Sequence, residues 1–140
     1  MRRTIRTLLA AISLLAVLVP SVSAASPRSF HLDKTCAADP TEPLGYVCTV
    51  QHSDFMWFPA GTKVHYVSQN SAGNVVEAKI SIQNGSTNGT CVWSGPVNAV
   101  CTFRPGDGRL TQFHLVVDVS ANGNASLWFW DGTYWFGGGD

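Results

Sequence analysis

The chain has few charged residues and no cluster of cationic ones. Charged side chains make up 13% of its 140 residues, with nine Lys and Arg against nine Asp and Glu. Three of the cations stand at the amino terminus, and the other six are scattered: Arg28, Lys34, Lys63, Lys79, Arg104 and Arg109. Without a basic patch, the sequence offers no electrostatic basis for binding nucleic acid or an anionic membrane.

Signatures of catalysis and of metal binding are also missing from the sequence. It contains no G-x-S-x-G, no glycine-rich phosphate loop, and no C-x2-C or H-x3-H spacing. His114 and Asp118 would share one face of a strand, but about 13 Å apart, which is too far for a catalytic dyad. We therefore predict no catalytic residue, no bound metal and no cofactor, and we leave enzyme activity open.

The first residues follow the pattern of a secretory signal peptide. Three arginines precede an apolar run over residues 8–19, which Pro20 ends before the small residues at 22–25. Because the run is too short to span a bilayer, we predict a signal peptide over residues 1–25 and no stable membrane insertion after its cleavage. The protein would then be extracellular, or periplasmic in a Gram-negative bacterium.

Four cysteines in an exported chain indicate two disulfides. Three pairings are possible, and the spacing favours Cys36–Cys48 with Cys91–Cys101, because each pair flanks one compact loop region. In the chain-entropy model each bridge would stabilise the fold by about 3 kcal/mol. We therefore interpret all four cysteines as structural.

Helical periodicity is absent, whereas about eight short runs of strand character alternate with Gly, Asn and Pro turns. The clearest strands cover 74–83 and 112–119, where every second residue from 76 to 82 and from 113 to 119 is apolar and would face the core. We predict an all-β protein with one antiparallel domain over residues 45–136. A leading segment at 26–44, with a strand near residues 30–32 and a loop that carries Cys36, would precede it, and a flexible tail at 137–140 would follow it. Short connections favour a meander that closes into a barrel and so removes exposed edges, with a two-sheet sandwich as the alternative.

The last aromatic segment, residues 127–136, holds three of the five tryptophans. Its dipeptide Asp131-Gly132 lies between two β-prone runs and predicts a two-residue hairpin turn. In that register Trp128, Trp130 and Trp135 would share one face of the hairpin. Both faces would be apolar, so the hairpin would be either sandwiched in the core or open to a ligand on one face.

A second aromatic run, residues 55–58, is apolar at every position. Four consecutive large side chains cannot all face one side of a strand, and we expect this run to plug an open end of the fold. The abundance of aromatic residues is typical of a small domain that packs its core with large side chains, and part of the set could instead form a ligand site. Its candidate residues are Trp128, Trp130, Tyr134, Trp135, Phe113 and Tyr66.

Two segments resemble known proteins. Residues 101–114 and 130–136 look like small secreted bacterial proteins of uncharacterised function. The turn Gly106-x-Gly108-Arg109-Leu110-x-x-Phe113 is also similar to the G-x-G-[RK]-F turn of dirigent and allene oxide cyclase barrels. That second resemblance implies an eight-stranded antiparallel barrel around an apolar ligand.

Several functions are compatible with these features, and we rank binding of a small apolar ligand inside the barrel first. The second hypothesis is a carbohydrate or surface-binding module that holds a polysaccharide on exposed tryptophans of the carboxy-terminal hairpin. The third is a cyclase or isomerase of the allene oxide cyclase type, which would need polar groups inside the barrel, and the candidates are Tyr46, Tyr66 and Tyr134. A protease inhibitor also fits the size and the disulfides. The sequence leaves the oligomeric state open.

Overall fold

The computed structural model describes residues 25–138, so the predicted signal peptide lies outside the described residues apart from Ala25. The described part contains eight strands and one short 3-10 turn at Gly108–Leu110. The strands are β1 (Arg28–Ala38), β2 (Tyr46–Ser53), β3 (Lys63–Gln69), β4 (Val75–Ile82), β5 (Gly85–Trp93), β6 (Ala99–Phe103), β7 (Phe113–Ala121) and β8 (Trp128–Phe136). None of the described helical segments is long and apolar enough to cross a membrane.

Each strand pairs antiparallel with the next, and β8 pairs with β1 to close a barrel. This confirms the predicted all-β meander barrel, and the sandwich alternative was wrong. The barrel begins at Arg28 rather than at residue 45, because β1 is hydrogen-bonded to both β2 and β8. Cys36, predicted to lie in a loop, lies on β1. At the other end of the chain, the N–H of Gly137 donates to the carbonyl of Gln112 at 2.9 Å.

The predicted hairpin within residues 127–136 was wrong, because β8 continues through the Asp131-Gly132 dipeptide as one strand. Nine residues of β8 pair with β7 and seven pair with β1, and these two ladders outweigh the local preference of Asp-Gly for a turn. Gly132 is required inside the strand, since a Cβ there would collide with the backbone oxygen of Val116. Straightening the hairpin also changes which aromatic residues share a face.

Alternation along the strands places the core inside the barrel, as the sequence predicts for β4 and β7. Ile80 on β4 and Leu115 on β7 are completely buried. An eight-stranded barrel is just wide enough for side chains to fill, and Trp130 and Phe103 occupy its middle with ring centroids 5.7 Å apart. The ring of Phe103 lies directly on Gly89, where any Cβ would overlap it. The middle of the barrel is therefore packed.

One end of the barrel is closed by the segment that follows β2. Phe55 and Phe58 are 2% and 1% exposed, and Phe55 stacks at 4.8 Å from Phe30 on β1. Met56, in contrast, is 78% exposed. Two of the four apolar residues therefore plug the barrel as expected, and we refer to this end as the plugged end.

Both predicted disulfides are present, and each joins residues directly opposite one another on neighbouring strands. Cys36 on β1 faces Cys48 on β2, and Cys91 on β5 faces Cys101 on β6, with Cα–Cα separations of 3.9 Å in each case. Such bridges fit a protein of an oxidising, extracellular compartment.

Candidate functional site at the open end of the barrel

A pocket of about 320 Å³ lies at the barrel end opposite the plug. In a meander the hairpin loops alternate between the two ends, so the loops 39–45, 70–74, 94–98 and 122–127 all surround this end. The pocket is lined by Lys34, Cys36, Tyr46, Cys48, Tyr66, Trp93, Ala125 and Trp128. Its volume lies at the lower limit of typical small-molecule sites. We call it the open-end pocket.

Lys34 provides the charge-bearing group of the pocket. Inward-facing residues alternate along β1, so Phe30, Leu32 and Lys34 all point into the barrel, and Lys34 is only 1% exposed. Its neighbour Asp33 faces the other way and binds His52 at 3.1 Å. The amine of Lys34 therefore lies inside the barrel, and the carboxylate of Asp33 does not form an ion pair with it.

Three aromatic rings and one hydroxyl surround the amine of Lys34. Its Nζ donates a hydrogen bond to Oη of Tyr66 at 2.9 Å. The same atom lies 5.3 Å from the ring centroid of Tyr66, 5.8 Å from that of Trp128 and 5.1 Å from that of Trp130. The faces of these rings are negative and attract a cation.

Burial controls the protonation state of the Lys34 amine. It lowers the pKa of Lys34 from 10.5 to about 7, because burial removes the water that stabilises an ammonium group. Burial raises the pKa of Tyr66 far above the usual value, and it also raises the pKa of Tyr46. At neutral pH the pocket therefore holds protonated phenols beside an amine that is neutral about half of the time.

Irregular backbone flanks both members of the Lys34–Tyr66 pair. The register of β1 against β2 shifts at Lys34, and Gln51 on β2 is left without a partner. The register of β3 against β4 shifts beside Tyr66, and Val67 on β3 is left without a partner. Bulges of this kind occur at barrel rims and next to active sites, where they redirect side chains. Ala125, which lines the same pocket, has a positive φ of 52°. Strained backbone also concentrates at functional sites.

Two aromatic pairs form the walls of the pocket. Tyr46 and Tyr66 lie on β2 and β3 with ring centroids 5.2 Å apart, while Trp93 and Trp128 on β5 and β8 meet edge to face at 5.6 Å. Aromatic walls around one buried amine suit a flat apolar molecule that carries a polar group at one end.

Of the six predicted ligand residues, Tyr66 and Trp128 line the open-end pocket. Trp130 lies behind them, fully buried, with its ring against Lys34. Its indole Nε1 makes no hydrogen bond to any residue that the structure describes. The structure thus brings these three residues together around one amine.

The other three predicted ligand residues lie elsewhere. Phe113 is completely buried beside the plug residue Phe58, with ring centroids 5.5 Å apart. Tyr134 packs on Phe55 with ring centroids 4.4 Å apart, and it lines a groove of about 250 Å³ at the plugged end. Trp135 is on the outer wall, stacked on His114 at 5.0 Å. The three tryptophans of the predicted hairpin therefore do not form a common face.

Sequence reasoning missed Lys34 and Trp93 as pocket residues, and it considered Tyr46 only as a polar group for the enzyme hypothesis. For Lys34 a signal exists in the sequence, because Phe30, Leu32 and Lys34 occupy alternate positions and would share one face of a strand. A lysine on the apolar face of a strand is unusual and marks a position with a special role. The shortened strand assigned to residues 30–32 concealed this pattern.

No group of three or more His, Cys, Asp or Glu within residues 25–138 is arranged to hold a metal ion. Comparison of the chain with protein-family models gives no match, and comparisons with curated proteins and with solved structures likewise give none. The chemistry of the open-end pocket is therefore the basis for assigning a function.

Proposed function

We propose that the protein binds a small, flat, apolar molecule in the open-end pocket and holds an oxygen atom of that molecule against Lys34. The observation that carries this proposal is the combination of aromatic walls with a buried amine that has no carboxylate partner within residues 25–138. The resemblance to dirigent and allene oxide cyclase barrels points to the same class of ligand.

The apolar body of the ligand would lie between the two wall pairs, Tyr46 with Tyr66 and Trp93 with Trp128. Aromatic side chains bind flat molecules through a large contact area and favour offset or edge-to-face contacts. Binding at the open end also requires no rearrangement of the core, since the packed layer of Trp130 and Phe103 lies beneath the pocket.

The polar end of the ligand would meet Lys34. An ammonium group has three N–H donors. Tyr66 Oη accepts one of them at 2.9 Å, and Sγ of Cys36, 3.9 Å away, is only a weak acceptor. A carboxylate or carbonyl oxygen of the ligand would accept the remaining hydrogen bonds, and a carboxylate would also provide a negative charge beside the amine.

We further propose that this binding takes place outside the cytoplasm. Two disulfides support an oxidising compartment. The signal-peptide pattern over residues 1–25 supports export as the route, and release of the mature chain into the medium would place the pocket in contact with extracellular small molecules.

A cyclase or isomerase is the second candidate function, and one observation favours it. Lys34 and Tyr66 are 2.9 Å apart inside an apolar cavity, and such a pair could exchange protons with a bound molecule. A polysaccharide site on Trp128, Trp130 and Trp135 has less support, because the first lines the pocket, the second is buried and the third is on the outer wall.

The proposal can be tested by calorimetric titration of the disulfide-intact protein with two flat probes, trans-cinnamate and cinnamyl alcohol. We expect both to bind, and we expect Trp128→Ala to weaken each by about tenfold because a wall of the pocket is removed. Trp135→Ala is the matched control, since that ring lies on the outer wall. Lys34→Met should weaken cinnamate but not the alcohol, because only the carboxylate needs the cation.

Absence of binding for both probes, or binding that Trp128→Ala and Trp135→Ala affect equally, would refute the proposed function. Conversion of either probe during long incubation would favour the enzyme alternative over a simple binder.

A further inference from the structure

We propose that Lys34, beside the hydroxyl of Tyr66 in the open-end pocket, captures aldehydes by forming a Schiff base between its Nζ and the carbonyl carbon. This inference rests on the proposed function, because the pocket must first bring the carbonyl compound to the amine. It extends that function by naming the ligand class and the bond that holds it.

The placement of Lys34 distinguishes it from the other lysines of the chain. Its side chain is 1% exposed and yet lines a pocket that opens at the barrel end. Lys63 and Lys79 are exposed on the outer wall. Only Lys34 therefore combines an apolar surrounding with access to a small molecule, which is the environment that activates a lysine as a nucleophile.

The reaction requires no further reagent. The lone pair of Nζ attacks the carbonyl carbon, a C–N bond forms, and the carbonyl oxygen takes up a proton to give a carbinolamine. The nitrogen gives up one N–H proton as the carbinolamine forms and the second as its C–O bond breaks, so both hydrogens of the departing water are balanced by the amine and a C=N bond remains. The amine and the aldehyde thus give an imine and one water molecule, with no change in oxidation state.

Tyr66 is placed to assist both proton steps. Its Oη lies 2.9 Å from Nζ, so an oxygen on a carbon attached to Nζ would fall within reach of the same hydroxyl. Because burial raises the pKa of Tyr66, this hydroxyl keeps its proton at neutral pH and can donate a hydrogen bond to the departing oxygen. The rings of Trp128 and Trp130 would stabilise a protonated imine by cation–π contact.

The charge around Lys34 favours its neutral, nucleophilic form. The titratable groups that face it are the phenols of Tyr46 on β2 and Tyr66 on β3, and no described carboxylate lines the pocket. A pKa lowered to about 7 leaves about half of the amine unprotonated at neutral pH, against less than about one in a thousand for an ordinary lysine.

The experiment is reductive trapping in the full disulfide-intact protein. The protein is incubated with trans-cinnamaldehyde near neutral pH, reduced with sodium cyanoborohydride, and analysed by intact mass and peptide mapping. We expect one adduct, with the mass of the aldehyde less one oxygen atom, located at Lys34 at least about tenfold more than at Lys63 or Lys79. Trapping should fall as the pH is lowered below 7, because protonation removes the lone pair.

Three variants define the roles in this reaction. Lys34→Met should abolish the specific adduct and should fold, since it places an apolar side chain in an apolar site. Lys79→Met, on the outer wall, should leave the adduct unchanged. Tyr66→Phe should slow trapping about tenfold or more even at a saturating concentration of cinnamaldehyde, where a weaker contact with the ligand would not lower the rate.

An adduct spread evenly over the three lysines, or one that persists in Lys34→Met, would overturn the inference. Cinnamyl alcohol separates this failure from failure of the proposed function. If the alcohol binds in the pocket but the aldehyde is not trapped at Lys34, the Schiff base is refuted and the binding function stands. If neither molecule binds, both are refuted.

Discussion

Lys34 is the residue whose surroundings differ most from what its chemistry prefers. A lysine is seldom fully buried without a charged partner, and Lys34 has only Tyr66 and three aromatic rings around its amine. Such a position costs folding free energy. Proteins retain residues of this kind where function needs them, which agrees with a role for Lys34 in holding a ligand.

The first prediction follows from the lowered pKa of Lys34. At pH values below 7 the buried ammonium costs about 4 to 5 kcal/mol relative to an unshifted amine. The Lys34→Met variant removes that cost and leaves the Tyr66 hydroxyl unpaired, which offsets about 1 to 3 kcal/mol. We therefore expect Lys34→Met to be more stable than the wild type by about 2 kcal/mol near pH 6, as measured by urea unfolding.

This difference should depend on pH in a defined direction. Between about pH 7 and pH 10 the unfolded chain binds more protons at Lys34 than the folded protein does, so the stability of the wild type rises with pH relative to the variant. The gap between the two proteins should therefore narrow over this range. A gap that stays constant from pH 6 to pH 10 would show that the amine is not buried as described.

At the scale of elements, the sequence pattern predicted β1 and β8, the two strands that close the barrel, less accurately than the others. The pattern predicts a strand over only residues 30–32 of β1, and it predicts a turn at Asp131-Gly132 in the middle of β8. Both strands pair with each other over seven residues. Each strand takes its full length from the ladders with its two neighbours, since β1 also pairs with β2 and β8 also pairs with β7.

The plug segment gives the second prediction. Phe58 is 1% exposed inside the plugged end, whereas Met56, two residues earlier, is 78% exposed. We expect Phe58→Ala to lower the free energy of unfolding by about 3 to 5 kcal/mol through loss of buried area and the resulting cavity. Met56→Ala should change it by less than about 0.5 kcal/mol. Urea unfolding of the two variants measures the difference.

Binding provides a control for the same variants, because the plug and the open-end pocket lie at opposite ends of the barrel. Both variants should bind cinnamyl alcohol with wild-type affinity as long as they are folded. Similar losses of stability for Phe58→Ala and Met56→Ala would contradict the description of the plug.

At the scale of the whole molecule, the two ends of the closed barrel differ in structure. Aromatic residues close one end, and the other carries the pocket with one of the disulfides in its wall. The Cys36–Cys48 bridge lines the pocket, while Cys91–Cys101 joins two strands elsewhere in the wall. The two bridges should therefore differ in their effect on binding.

The third prediction compares the two disulfides. Replacing either pair by alanine should lower the free energy of unfolding by about 3 kcal/mol, because the closed loops are of similar length, with sequence separations of 12 and 10. Only the Cys36→Ala/Cys48→Ala variant should also weaken the binding of cinnamyl alcohol. Equal effects of both variants on affinity, measured by calorimetry, would contradict the position of the pocket.

The sequence by itself determined those features that depend on local pattern. Alternation in 76–82 and 113–119 predicted the core faces of β4 and β7, and short turns predicted a closed meander. The cysteine spacing predicted both bridges, since each pair lies on strands that are consecutive in the chain. Each of these inferences involves residues that are close together in the sequence.

Only the tertiary structure decided the ends of the barrel and the site. His31 and Asp131 are 100 residues apart, yet they meet at 2.7 Å where β1 pairs with β8, and this pairing turned a predicted hairpin into a strand. The same closure directs Lys34, Tyr66 and Trp128 from three different strands into one pocket. Local propensity is weak against two complete hydrogen-bonded ladders, and for that reason the site is a property of the closed barrel.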